Sequence, residues 1–202
     1  MSSVARNIRP VVPTDVVYPL SVDQYHEMIR IGVIDEDSPV ELVEGILVFK
    51  MGKNPPHSRC MGKLNAQIAP RLPATYYWRI QEPITLSDGE PEPDGAIVRG
   101  GPDDFGERHP GGGDVPLVVE VSDSSLSKDR GSKLRSYARA GIPTYWIVNL
   151  ESQVVEVYTR PDSAAASEPK YLDRTDFKKG DVIPLNFDGL GLPSLAVADL
   201  LP

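Results

Sequence analysis

Two acids in this chain sit where an acid needs a reason. Asp94 opens a β-rich run directly after a proline in PEPDGAIV, and Glu120 lies inside PLVVEVS, an almost continuous apolar segment. A carboxylate inside such a strand is expensive to bury unless it is paired or metal-bound. Two carboxylates at the ends of neighbouring strands repel one another. A shared hard cation relieves that repulsion and supplies an activated water and a counter-charge for phosphodiester hydrolysis. Taken alone, Glu120 is equally well read as a salt-bridge partner for a helix Lys or Arg, and Asp94 is more simply a strand-start or turn aspartate.

Positioning these acids requires a sheet with helices against it, and the sequence supplies both. Ser21 is placed to cap a short helix that stops at Gly32, with Tyr25, Met28 and Ile29 on one face. ELVEGILVFK predicts a hairpin about Glu44-Gly45. Met61, Leu64, Ile68 and Leu72 recur at spacings of three and four, which predicts an amphipathic helix from His57 to Leu72. TYYWRIQEPITL and DGAIV read as strands, residues 100–114 as a mobile glycine-rich loop, and PLVVEVS as a central strand covered on both faces. SLSKDRGSKLRSYARAG predicts one helix closed by Gly141. TYWIVNL and QVVEVYTR then predict two strands joined at Glu151-Ser152. Residues 161–170 read as a polar loop, and DVIPLNFDGLGLPSLAVADLLP as a proline-broken succession of short pieces.

The expected fold is therefore α/β (α+β), a central mixed sheet flanked by helices, with an N-terminal helix and a β-hairpin. Residues 1–20 form an arm and 21–202 one domain, built mainly by residues 40–160. The first 20 residues show no continuous apolar stretch before a small-residue cleavage site and no apolar run reaches 18 residues without a charge, so neither export nor a membrane span is expected. Cys60 is the single cysteine, read as buried packing, and no Cys/His cluster has zinc spacing. These features fit a reducing cytoplasm. A net charge of -8 opposes avid, non-specific coating of nucleic acid, yet a bound divalent ion can supply local positive charge to an acidic site.

PEPDGAIV followed by PLVVEVSDSSLSKDRGSKLRSYARAGIPTYWIVNL, with ELVEGILV and His57 upstream, resembles the bacterial Uma-type restriction endonuclease family, a branch of the PD-(D/E)XK nuclease superfamily. The resemblance implies a restriction-endonuclease-like core in which Asp94, Glu120 and the Val121 carbonyl bind Mg²⁺ or Mn²⁺. It also implies nucleic acid, DNA foremost with RNA as a further possibility, as the substrate. Ser122 stands where the superfamily's strand lysine would be, and the matching lysine is Lys133 on the following helix, with Lys128 the competing candidate. Asp129 and Arg130 are read as capping or bracing that helix. Glu41 and His57 are secondary site candidates, Glu44 is read as turn chemistry, and His26 and His109 carry no functional reading. Relatives commonly read GIPEYWIVDL, whereas this chain has Thr144 and Asn149, so two acids near the sheet centre are missing. The alternative to a nuclease is a catalytically silent module of the same fold that binds proteins. A metal-free glycosidase pair is a weaker third reading. The frequency of two-fold assemblies makes a homodimer the default form of self-association.

Overall fold

The computed structural model describes residues 17–35, 37–163 and 168–202, so most of the arm expected over residues 1–20 lies outside the described residues. Helix α1 (Val22–Arg30) starts as the sequence predicts. The Gln24 N–H donates to the Ser21 hydroxyl at 3.1 Å and the Ser21 N–H donates back to the Gln24 side chain at 2.9 Å, a reciprocal cap. Strands β1 (Val40–Val43) and β2 (Ile46–Phe49) form the predicted hairpin, with Glu44 at φ 51° and Gly45 at φ 74° making its two-residue turn. The segment before Asp94 lies directly on β1: the Glu90 N–H donates to the Leu42 carbonyl at 2.8 Å. A Cβ at Gly89 would meet that carbonyl oxygen at 2.4 Å, which is why this close approach needs glycine.

The main sheet has the order β3 (Tyr76–Ile80), β4 (Gly95–Arg99), β5 (Leu117–Ser122), β6 (Thr144–Asn149), β7 (Val154–Asp162), β8 (Lys170–Lys178). All neighbours are antiparallel except β5 and β6, which run parallel across a helical connection. Every residue of β5 is buried, as expected for a strand covered on both faces. Leu117, Val119 and Val121 face a core shared with helix α2 (Pro55–Ile68), through Cys60, Leu64 and Ile68. Val118 faces the other core with Tyr145 and Ile147, where helix α4 (Leu134–Arg139) contributes Tyr137 and Ala138. The strand period places Glu120 on this second side, beneath the connection to β6.

That connection is not the single helix the sequence predicts. It consists of α3 (Leu126–Lys128), a π-helical turn over Asp129–Lys133 that departs from helical angles at Gly131, and then α4. Apolar periodicity continues on either side of the kink at Gly131, so the pattern conceals it. Other expectations also need correction. The predicted helix over 57–72 ends at Ile68 and tightens into a 3₁₀ turn over Ala69–Arg71. The run TYYWRIQEPITL is a strand only as far as Ile80, because Gln81 turns to φ 52° and the ladder to β4 ends there. Ile29 is exposed, since α1 covers only the stripe through Tyr25 and Met28. The loop expected over 161–170 loses its ends to β7 and β8. Strand β8 leaves no signal in the sequence because it is largely exposed and polar on both faces. The tail is a hairpin, β9 (Val182–Phe187) with β10 (Leu190–Ala196), followed by α5 (Val197–Leu200). A two-stranded hairpin leaves free edges that accept Pro184, and a register shift between Leu192 and Leu195 takes Pro193. Ile183, Leu185, Leu195 and Leu200 join Leu64 and Ile68 in the α2-side core, which therefore extends well beyond residue 160.

Leu64 and Ile29 separate buried from apparent amphipathicity. Leu64→Ala should lower unfolding free energy by about 2–5 kcal/mol and Ile29→Ala by less than about 0.5 kcal/mol, read from urea denaturation midpoints. Equal losses at the two positions would contradict this packing.

Candidate active site

The C-terminal end of β5 and the π turn above it enclose a cavity of about 100 Å³, whose lining includes Glu41, His57, Asp94, Glu120, Lys128 and Lys133. These six come from distant parts of the chain. β1 carries Glu41, the start of α2 carries His57, and the residue before β4 is Asp94. β5 carries Glu120, α3 ends in Lys128 and the π turn ends in Lys133. Val121 lines the same cavity.

Lys133 is the centre of the arrangement. Its Nζ donates to Glu120 Oε1 at 2.8 Å and to the Glu92 carbonyl at 3.3 Å, and it lies 3.3 Å from Glu41 Oε2. Glu41, Glu120 and Lys133 are 2%, 3% and 3% exposed, so these charges interact almost without water between them. Burial works against the Lys133 ammonium, but the Glu120, Glu41 and Asp129 carboxylates carry its pKa above the ordinary lysine value. Burial pushes the Glu120 carboxyl up to about 8. Lys133 opposes that rise, and the charges of Asp129, Asp94 and Glu41 add to it. Glu120 Oε1 also accepts from the Tyr137 hydroxyl at 2.7 Å. Glu41 differs: burial raises it, but Lys133 and Lys128, with the Glu92 N–H at 2.9 Å, hold it below the usual carboxylate range. Lys128 donates to Glu41 Oε1 at 2.7 Å.

Asp94 is fixed by different partners. Oδ1 lies 3.0 Å from His57 Nε2 and accepts from the Gln81 amide at 3.2 Å, while Oδ2 accepts from the Val121 N–H at 2.8 Å. Burial raises its carboxyl, yet His57, the Val121 N–H and Lys133 together keep it below the ordinary aspartate value. His57 Nδ1 is buried without a hydrogen-bond partner among the described residues. The ring proton therefore belongs on Nε2, donated to Asp94, because a proton on Nδ1 would be buried and unsatisfied. The Val121 N–H points past the end of β4, and the Ser122 carbonyl points the other way, accepting from the Leu150 N–H at 2.9 Å. The N–H and C=O of one residue share an edge of a strand, so the Val121 carbonyl faces Asp94's side.

The donor set suits a hard cation. Asp94, Glu120 and the Val121 carbonyl offer oxygen only; Oε1 of Glu120 and Oδ1 of Asp94 already accept two contacts each, which leaves Glu120 Oε2 and a lone pair of Asp94 Oδ2 for a cation. Among the described residues, no group of three or more His, Cys, Asp or Glu side chains is arranged to hold a metal ion. Two carboxylates and a carbonyl, completed by water, match the partial protein shell that Mg²⁺ takes and not a closed zinc site.

The remaining sequence candidates separate cleanly. Ser122 is buried beside Ser125, with 3.3 Å between hydroxyl oxygens, and offers no cation where a strand lysine would. Glu44 is the hairpin turn residue, and its carboxylate also pairs with Arg135 and Arg139. Asp129 is buried, accepts from the Ser125 hydroxyl and lines the cavity, while Arg130 reaches away to Glu156 on β7 with Nε at 3.0 Å. The Tyr145 hydroxyl donates to the Asp129 carbonyl at 3.0 Å, so the π turn is pinned to β6 and β7. Asn149 donates to Glu156 at 3.2 Å, and neither it nor Thr144 lines the cavity. His26 binds the buried Glu90 at 2.8 Å, and His109 lies 3.0 Å from Arg79, both away from Asp94. Cys60 is fully buried, and burial, then the Asp94 charge, lift its thiol to about 12. Sequence reasoning missed Gln81 and Tyr137 as contacts of the two acids. Tyr137 was visible only as an apolar helix position, and Gln81 carried no signal.

The raised Glu120 carboxyl sets a pH dependence. Between the ordinary glutamate value of 4.5 and about 8 the folded protein binds more protons at this position than the unfolded chain, so its contribution to stability falls as pH rises. Urea denaturation in EDTA should show metal-free wild type losing stability across that window relative to Glu120→Gln. Parallel pH profiles would refute the assignment.

Comparisons with known proteins agree with this architecture. A family model described as Uma2, putative restriction endonuclease, matches residues 22–198. Among solved structures, the chain is similar to a crystal structure described as a putative nuclease belonging to DUF820 from Anabaena variabilis ATCC 29413. The TM-score is 0.59 and the identity 17%, over 90% of this chain and 97% of that one. At that identity the likeness speaks to the fold. A search of curated proteins finds no match. No described helix is long and apolar enough to cross a membrane. With a match running from α1 to α5, the chain belongs to the Uma2 family of putative restriction endonucleases.

Proposed function

We propose that this protein is a metal-dependent phosphodiesterase that hydrolyses nucleic acid, DNA foremost, at the cavity between β5 and the π turn. One observation carries the reading: Asp94 and Glu120, 26 positions apart in sequence (120 minus 94), line a single small cavity with a buried lysine ammonium 2.8 Å from one of them. In this reading Asp94, Glu120 and the Val121 carbonyl hold Mg²⁺ or Mn²⁺. When bound, such an ion supplies an acidified water and a counter-charge to the phosphoryl oxygens.

The chain's own residues do the rest. Lys133 presents a fixed positive charge at the place where negative charge grows on the phosphoryl group, and it needs no reorganisation because Glu41 and the Glu92 carbonyl already orient it. Lys128 shares Glu41 with Lys133 and so keeps Glu41 ionised. In this reading Glu41 holds the lysines in place and is not a third metal ligand. His57 and Gln81 fix Asp94, and its bond from the Val121 N–H locks the carboxylate against the strand end. The raised Glu120 carboxyl makes metal binding proton-coupled, with weaker binding below the pH at which Glu120 ionises.

The non-catalytic module remains the second reading, and one observation favours it: Glu120 already has a cationic partner in Lys133, 2.8 Å away, without any metal. Cleavage assays on single-stranded, duplex and branched DNA and on RNA in Mn²⁺ separate the two. Wild type should cut at least one substrate. Asp94→Asn should abolish the cut, and Lys133→Ala should slow it by about 10²–10³-fold. Mn²⁺ should also raise the melting temperature of wild type and not of Asp94→Asn. No cleavage and no melting shift would favour the module, and equal rates in wild type and Lys133→Ala would remove Lys133 from the mechanism.

A further inference from the structure

Arg59 differs from every other described arginine. The others each engage a carboxylate or, for Arg71, a main-chain carbonyl. Arg59 is exposed on the first half of α2, two residues after His57, and makes no hydrogen bond or ion pair among the described residues. In an acidic chain that pairs its guanidinium groups this thoroughly, an unpaired one is available to an anion from outside.

Its surroundings narrow the anion. Arg59 lines an open groove of about 510 Å³ with Pro55, Pro56, Leu150 and Pro202. Asp123 lines both this groove and the cavity holding Asp94 and Glu120, so the two adjoin. Asp123, the groove's acid, is engaged by the Asn54 amide and leaves Arg59 free. A planar guanidinium fork matches phosphate oxygens, and no internal ion pair must break to release it. The proline and leucine floor suits the apolar faces of a sugar and a base.

We propose that this groove holds the nucleotide next to the scissile phosphodiester, with Arg59 on that nucleotide's phosphate. The inference rests on the nuclease reading of the adjoining cavity, and it gives the substrate strand a direction, from the metal-binding acids past Asp123 towards the start of α2. The acidic remainder of the surface contributes little to binding, so Arg59 should account for a measurable part of the salt dependence.

The test is fluorescence anisotropy with a labelled single-stranded DNA oligonucleotide, in Ca²⁺ and over a NaCl series. Arg59→Ala should weaken binding about 3–10-fold and make the slope of log K against log salt shallower by about 0.7, whereas Arg59→Lys should keep the slope. Lys170→Ala, at the far edge of the sheet, should change neither. Unchanged affinity and slope in Arg59→Ala, or no binding by wild type, would overturn the groove. Cleavage is scored separately in Mn²⁺. Arg59-dependent binding by a wild type that cleaves nothing contradicts the nuclease reading and keeps the groove as a nucleic-acid site. Cleavage with Arg59-independent binding contradicts the groove alone.

Discussion

Lys133 places an ammonium 2.8 Å from Glu120 and 3.3 Å from Glu41, in surroundings from which water is nearly excluded. Removing either side of such a group leaves an uncompensated buried charge, a loss typically of several kcal/mol. The elements that supply it are therefore not independent. The β1–β2 hairpin brings Glu41, the chain before β4 brings the Glu92 carbonyl, β5 brings Glu120, and the π turn delivers the lysine. The turn is held by the Tyr145 hydroxyl and by the Arg130–Glu156 pair. A straight α-helix in its place would carry Lys133 to a different angle around the axis, and the charge cluster would lose its cation.

The two acids that face this cluster sit in opposed environments. Asp94 is held ionised by His57, Gln81 and a main-chain N–H, while Glu120 is driven towards the neutral form by burial and by the acids around it. Environments that split two neighbouring carboxyls in this way are typical of reactive sites. Structural ion-pair networks also produce such shifts, and Arg130–Glu156 with Asn149 is one in this same molecule. The difference lies in access, because the Asp94–Glu120 group opens onto a cavity.

Much of the fold was legible in the residues themselves. The capping residues of α1, the Glu44-Gly45 turn, the continuous apolar run of β5 and the β6–β7 hairpin are local signals, and each is found where the sequence points. The exposed strand β8 and the proline-bearing β9–β10 hairpin were not legible, because one lacks an apolar face and the other carries residues that argue against strands. For the site, Asp94 and Glu120 were marked by their strand contexts. Lys133 was marked only by family resemblance, since the π turn that buries it leaves no trace in the spacing of apolar residues. Gln81 and the Glu92 carbonyl act through tertiary proximity and could not be read from neighbours in sequence.

Diffraction from a crystal soaked in Mn²⁺, recorded to locate the ion by anomalous scattering, tests the shared-cation claim most directly. A single peak within about 2.5 Å of carboxylate oxygens of both Asp94 and Glu120, and of the Val121 carbonyl, with the Lys133 ammonium beside it, is the predicted result. A crystal in which manganese binds elsewhere or not at all, while Lys133 stays locked on Glu120, would contradict it.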